Sequence, residues 1–299
     1  MNIRKWAIMT ALFAGLTSGF AAESLSDKVW TWGYMLDRTP SACPFVDGKT
    51  SWSIENEIEY LGAKKQTFYM NSIFNSKYAR KYFPAWDEEC FANCINSKLS
   101  DAHFRKLAAV RDIWCGVEHG NYLASAIKIA ELSLEHKNIK GLNFDDFNNG
   151  QPETAMSPAE LRELREAIHK INPELKIAIV TYTHLSNVTP YRDYVDVVSY
   201  WCWKARHDYW DNYAAEIAKL RRQIGPNKTI LQGIYIRDYG TSDMKSPRAM
   251  PIDLFKKSIL TVRAALIDGT IDGVIIPQAG WFGAPEHREH IVFIKENLR

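Results

Sequence analysis

Along the chain, short runs that are apolar at nearly every position alternate with longer stretches whose apolar residues recur every three or four positions. The short runs cover 28–36, 66–70, 112–117, 139–144, 175–180, 195–200, 229–235 and 271–276. Apolar runs of this length, bounded by Gly, Pro, Asn or Asp, read as strands buried on both faces, and the three-to-four spacing reads as one face of a helix. Helices are predicted over 53–61, 101–110, 122–136, 157–171, 210–223, 251–267 and 286–297. The fourth of these opens Ser157-Pro158-Ala159-Glu160, with a capping serine, a first-turn proline and a glutamate three residues on. Asp268-Gly269 stops the sixth.

Eight short apolar strands alternating with helices predict a parallel sheet covered by helices, hence an α/β fold. The count of eight points to a single (β/α)8 TIM barrel, and roughly 275 mature residues sit near the ~250 usual for that fold. A doubly wound sheet competes, but it carries a Gly-rich phosphate loop after its first strand, and Trp32-Gly33-Tyr34 is not one. Residues 75–100, rich in aromatics and holding Cys90 and Cys94, read as an insertion after the second strand. With no linker, repeat or low-complexity tract, 22–299 is expected to be one domain. Residues 1–21 read as a signal peptide: Arg4 and Lys5, a short apolar stretch, then Gly19-Phe20-Ala21. The expectation is an exported protein, periplasmic or secreted, with no membrane span in the mature chain.

Composition adds a few exclusions. A formal charge of +2 over 299 residues, with basic and acidic residues scattered, is no footprint for nucleic acid. Five cysteines in an oxidising compartment leave at least one unpaired within the chain. A bridge among Cys43, Cys90 and Cys94 is expected, and Cys115 and Cys202, inside strand-like runs, read as buried thiols. Ten tryptophans and fourteen tyrosines are many, and several stand at strand ends.

A (β/α)8 barrel brings the C-terminal ends of all its strands to one rim, which is where such folds keep their chemistry. Here those ends supply Trp32 and Tyr34, Asn71, Glu118 and His119, Asp145 and Asp146, Tyr182 and His184, Tyr200, Trp201 and Trp203, Arg237 and Asp238, and Gln278 and Trp281. The opposite ends carry only scattered Lys, Asp and Thr. Acids, amides and aromatics converging on one face suit a carbohydrate, with the indoles stacking on sugar faces and Asn71, Arg237 and Gln278 binding hydroxyls. Glycosidic cleavage needs one carboxyl as proton donor and a second as base or nucleophile. Asp145 or Asp146 is the candidate for one, and Glu118 or Asp238 for the other. Leu142, Phe144 and Asp146 share one parity along the fourth strand, so alternation favours Asp146 as the pocket-facing acid. No cofactor and no metal site are expected. The alternatives are a carbohydrate-binding barrel without catalysis, and a metal-dependent ester or phosphodiester hydrolase using Glu118, His119 and the Asp pair.

The stretch Lys140-Gly141-Leu142-Asn143-Phe144-Asp145-Asp146-Phe147 resembles the fourth-strand signature of several glycoside-hydrolase-like (β/α)8 families, Asp-Gly-hydrophobic-x-hydrophobic-Asp-Asp-Tyr/Phe. Lys140 stands where the leading Asp of that signature falls. The resemblance implies a barrel with rim acids at Asp145 and Asp146. A more distant similarity to the chitinase strand lacks its final Glu, which argues against the substrate-assisted mechanism of that family.

Overall fold

The computed structural model describes residues 24–33, 54–63, 66–69, 99–184, 187–202, 204, 207–238, 248–277 and 282–299. In chain order the strands are β1 Val29–Gly33, β2 Gln66–Tyr69, β3 Asp112–Gly116, β4 Ile139–Phe144, β5 Lys176–Tyr182, β6 Val197–Trp201 and β7 Thr229–Gly233. A small antiparallel ribbon, β8 Arg237–Asp238 with β9 Arg248–Ala249, precedes β10 Gly273–Pro277. Strands β1 to β7 pair in parallel in sequence order, and β10 pairs with both β7 and β1 to close the barrel. The eight-stranded (β/α)8 architecture expected from the periodicity is therefore present. The segment 1–21, most of the expected insertion over 75–100, and Cys43, Cys90 and Cys94 lie outside the described residues.

The helices are α1 Ile54–Leu61, α2 Asp101–Lys106, α3 Tyr122–Glu135, α4 Pro158–Ile171, α5 His207–Asp211, α6 Tyr213–Ile224, α7 Ile252–Asp268 and α8 Arg288–Leu298. The Ser157–Glu160 capping box is formed in both directions, and Gly269 ends α7 in the left-handed region at φ 78°. Two helices depart from the spacing. The one expected over 101–110 stops at Lys106, and the carbonyls of Leu107 and Val110 instead accept hydrogen bonds from Nδ2 of Asn138 at 3.2 and 3.1 Å. The one expected over 210–223 begins three residues earlier and is divided at Asn212 into α5 and α6.

Alternation along the strands sorts their side chains into two cores. Ile113, Cys115, Leu142, Phe144, Ile177 and Ile179 belong to the layer between sheet and helices. The opposite parity fills the lumen with indoles and a phenyl ring: Trp30 and Trp32 from β1, Phe68 from β2, Trp114 from β3 and Trp201 from β6, in ring contacts at 5.0–6.1 Å. Glycines on neighbouring strands make the room. A Cβ at Gly141 would lie 2.4 Å from Trp114, and one at Gly233 would lie 2.0 Å from Trp201. Cys115 and Cys202 are buried and outside any disulfide.

At the N-terminal ends of the strands, carboxylates act as clasps. Oδ2 of Asp196 accepts from the backbone N–H of Ile177 at 2.9 Å and is gripped by Arg165 of α4 at 2.8 Å. Asp272 repeats the device one pair of strands on, accepting from the N–H of Ile230 at 2.8 Å. These clasps fix register at one end and leave the other end free to carry loops. Among the described residues no helix is long and apolar enough to cross a membrane.

Candidate active site

Strand β4 delivers the carboxylates. Its outward residues, Leu142 and Phe144, pack under the helices, so the lumen parity is that of Gly141 and Asn143. The alternation argument for Asp146 is thereby corrected: continued inward parity leads to Asp145. Alternation ends at Phe144, where the chain turns, and Asp146 adopts a left-handed conformation at φ 49°. That turn, not strand parity, aims Asp146 at Tyr182. The hydroxyl of Tyr182 donates to Oδ1 of Asp146 at 2.5 Å, and the N–H of Asp146 donates to Oδ1 of Asp145 at 2.9 Å.

A left-handed aspartate costs of order 1 kcal/mol, so the surrounding loop has to enforce it. It does so through its amides and one aromatic anchor. Asn148, also left-handed at φ 52°, binds the backbone of Met156 with both ends of its side chain, at 2.8 and 3.1 Å. Oδ1 of Asn149 accepts from the N–H of Gln151 at 3.1 Å and the hydroxyl of Thr154 at 2.7 Å. Phe147 is buried between Phe144 and Tyr191, at ring distances of 6.1 and 5.0 Å.

The electrostatics divide the two acids. Burial, then the neighbouring Asp146 carboxylate, pushes the Asp145 carboxyl well above the usual carboxylate range, against the pull of the Asp146 amide. Burial likewise pushes the Tyr182 hydroxyl far up, so it stays a donor. His119 is buried beside the pair. Its Nε2 donates to the carbonyl oxygen of Asp145 at 3.0 Å, which sets the tautomer, and burial lowers its basicity against the pull of Asp146. The exposed ring of His184 lies 5.6 Å from that of Tyr182, and its basicity is lowered by burial and by Lys204.

The structure thus gathers Asp145, Asp146, His119, Tyr182 and His184 at the rim. Glu118 is close enough to act on the charge of His119, but its Oε2 accepts from Nδ2 of Asn121 at 3.1 Å. Three other sets of residues expected at the rim make contacts of their own. Asp238 is 1% exposed in the β8–β9 ribbon, its Oδ2 3.9 Å from Arg248, and Arg237 reaches Glu286 of the final helical region at 3.3 Å. Tyr200 has the outward parity of β6, points its hydroxyl toward Glu216 of α6, and lines a cleft of about 300 Å³ with Thr181, His184 and Gln223. Trp32 and Trp201, 4% and 3% exposed, pack edge to face inside the barrel, directly in the lumen core. Tyr34, Asn71, Trp203, Gln278 and Trp281 lie outside the described residues.

Two residues absent from the strand-end reading join the site. Tyr122, the first residue of α3, has a buried hydroxyl with no hydrogen-bond partner among the described residues; burial and both aspartates raise its pKa, and its ring lies 5.3 Å from Phe144. Asn143 faces the lumen one inward position before Asp145, fully buried, with neither amide atom hydrogen-bonded among the described residues. An amide flanked by Leu142 and Phe144 in the second half of the strand was the available signal for Asn143. Tyr122 offered none, since a helix-starting tyrosine is ordinary.

No protein-family model matches the chain, and no curated protein matches its sequence. Solved structures match its fold. A GH113 β-1,4-mannanase is 11% identical with a TM-score of 0.52, over 91% of this chain and 98% of its own. An arabinofuranosidase is 11% identical with a TM-score of 0.52, over 85% and 65%. A GH2 β-galacturonidase from Eisenbergiella tayi is 15% identical with a TM-score of 0.50, over 81% of this chain and 45% of its own. At such identities the likeness is one of fold, and the chain spans less than half of the galacturonidase it resembles. The likeness covers nearly the whole mannanase, which is consistent with a barrel as the entire described unit.

Proposed function

We propose that the protein is an exported glycoside-hydrolase-like enzyme, cleaving a carbohydrate by carboxylate acid/base chemistry at the C-terminal rim of its barrel. The observation that carries this reading is the asymmetric pair: Asp145 is held toward its protonated form, while Asp146 accepts a 2.5 Å hydrogen bond from buried Tyr182. One carboxyl that keeps its proton beside another that accepts is the division of labour glycosidic cleavage calls for. Asp145 is assigned as proton donor. Asp146 is assigned the base or nucleophile role, or stabilises positive charge as it develops at the sugar. The mannanase and arabinofuranosidase supply the same fold to glycosidases, which supports the class of reaction by analogy.

The test is a panel of glycans and aryl glycosides, assayed with wild type, Asp145→Asn and Asp146→Asn. Wild type is expected to turn over at least one member, and each variant to lose 100-fold or more, about 2.7 kcal/mol of transition-state stabilisation. Glycan binding without turnover, equal in all three proteins, would replace the enzyme with a carbohydrate-binding barrel.

A further inference from the structure

At the other end of β4, Asp101, Glu135 and His136 bring one ligand atom each to within 4.8 Å of one another. Asp101 is the first residue of α2, whose N-cap Ser100 accepts from the backbone N–H of His103. Glu135 is the last residue of α3, and His136 caps that helix through its N–H to the carbonyl of Leu132 at 2.9 Å. Nε2 of His136 lies 2.9 Å from Oδ1 of Asp101, and the imidazole is stacked on buried Phe104 at 4.7 Å and 30°. The three side chains are therefore carried on two anchored helix ends, with the ring orientation fixed by packing.

The charge at this corner is unbalanced. The Glu135 carboxylate makes no hydrogen bond or ion pair among the described residues, although a second carboxylate stands beside it. It also sits in the last turn of α3, where the helix dipole is negative, and that turn contains no Lys or Arg to offset it. Among the described residues the one ion-pair partner of these two acids is His136 at Asp101, and Lys137, next in the chain, is not among their partners. Two carboxylates and a negative helix end face one imidazole, which bonds Asp101 and leaves Glu135 without a cationic partner among the described residues.

We propose that Asp101, Glu135 and His136 form a site for a divalent metal ion of zinc or manganese type, independent of the rim chemistry. Two carboxylate oxygens and one imidazole nitrogen are the donor set that borderline divalent ions accept, with water completing the shell. Bond lengths of about 2.0–2.2 Å bring ligand atoms to roughly 3.3 Å from one another, so the widest separation in the trio, at most 4.8 Å, has to close while the 2.9 Å contact of His136 with Asp101 opens slightly. Rotation of the exposed Asp101 and Glu135 side chains supplies that movement. The ion displaces the proton between His136 and Asp101 and clips α2 to the end of α3 across 35 residues of chain. Strand β4 is six residues long, which places the site roughly 20 Å from Asp145 and Asp146. The ion would act on stability, not on the reaction.

Zn²⁺ titrated into the full chain, followed by calorimetry and thermal unfolding, tests this. Wild type is expected to bind one ion with a rise in Tm. Glu135→Gln, which removes an exposed group with no partner, is expected to fold normally and weaken binding at least tenfold, as are Asp101→Asn and His136→Gln. Substituted Co²⁺ should show weak visible bands without the strong near-ultraviolet absorption of thiolate ligation. Equal affinity in wild type and Glu135→Gln would mean an adventitious ion only. Strong thiolate absorption would place the ion on cysteines, and absence of Zn²⁺ binding at micromolar concentrations would also overturn the proposal.

Discussion

At Asp146, one neighbour fixes the geometry of the carboxylate. A buried tyrosine whose hydroxyl resists ionisation can only donate, and at 2.5 Å it holds one oxygen of that carboxylate fast while the loop holds its backbone. Tyr182→Phe removes the donor with little change of shape. A hydrogen bond to a charged acceptor is worth about 1.5–3 kcal/mol, so the substitution is expected to lower kcat roughly 10- to 100-fold with KM nearly unchanged, measured on any substrate the wild type cleaves. The protonation of Asp145 makes a second, separable prediction. Its carboxyl is raised above the ordinary range, and a proton donor works only while protonated. Activity should therefore persist above the pH at which an ordinary aspartate, near 3.9, has ionised, and fall as pH rises through the raised value. A pH profile of kcat/KM in which the falling limb lies at or below pH 4 would remove Asp145 from the donor role.

At the level of elements, the strands and helices were legible because their periods differ. The eight apolar runs, the Ser157 capping box and the Gly269 stop all appear where spacing and cap residues place them. What spacing could not deliver is direction at a strand end. Nothing in Phe144-Asp145-Asp146 announces that alternation ends there, although Asn148-Asn149-Gly150 does announce a turn. Arg237 and Asp238 pose a related difficulty: a two-residue ribbon is too short to leave a pattern, so its pairing with β9 shortly after the end of β7 was not legible. The pairing of glycines with lumen indoles was equally hidden, since the partners are on different strands. It makes the lumen intolerant of added volume. Gly233→Ala would set a methyl group 2.0 Å from Trp201, and overpacking of this kind costs about 1–3 kcal/mol or more. The urea midpoint of Gly233→Ala is expected to fall below that of wild type. In a Trp201→Leu background the same substitution should cost much less. An equal loss in both backgrounds would mean that the indole is not what excludes the methyl.

For the whole molecule, one group under the barrel wall works against stability. Glu57 of α1 is fully buried, and among the described residues neither carboxylate oxygen makes a hydrogen bond of ordinary geometry. Burial pushes its carboxyl well above the usual range, a push that the nearby backbone amide of Trp32 opposes. A folded-state pKa above the unfolded value, near 4.3, means that its contribution is fully present below that pH and is lost as pH rises toward the folded value. Glu57→Gln keeps the shape and removes the titration. It is expected to match wild type near pH 4 and to exceed it by about 1–3 kcal/mol at pH 8, by denaturant unfolding at both pH values. A constant difference across that range would show that Glu57 does not titrate on folding.

The stacked lumen has an optical consequence. Trp30, Trp32, Trp114 and Trp201 lie in mutual or shared ring contact in a water-poor interior, and Trp201 also touches Tyr235 at 4.8 Å. Aromatic chromophores fixed this close in an asymmetric setting couple to one another and give strong near-ultraviolet circular dichroism. Tyr182, the donor to Asp146, shares an edge of β5 and β6 with Trp201, its register partner. A ligand that shifts Tyr182 therefore moves the neighbour of a coupled chromophore, and the native protein reports occupancy of its own rim without a label.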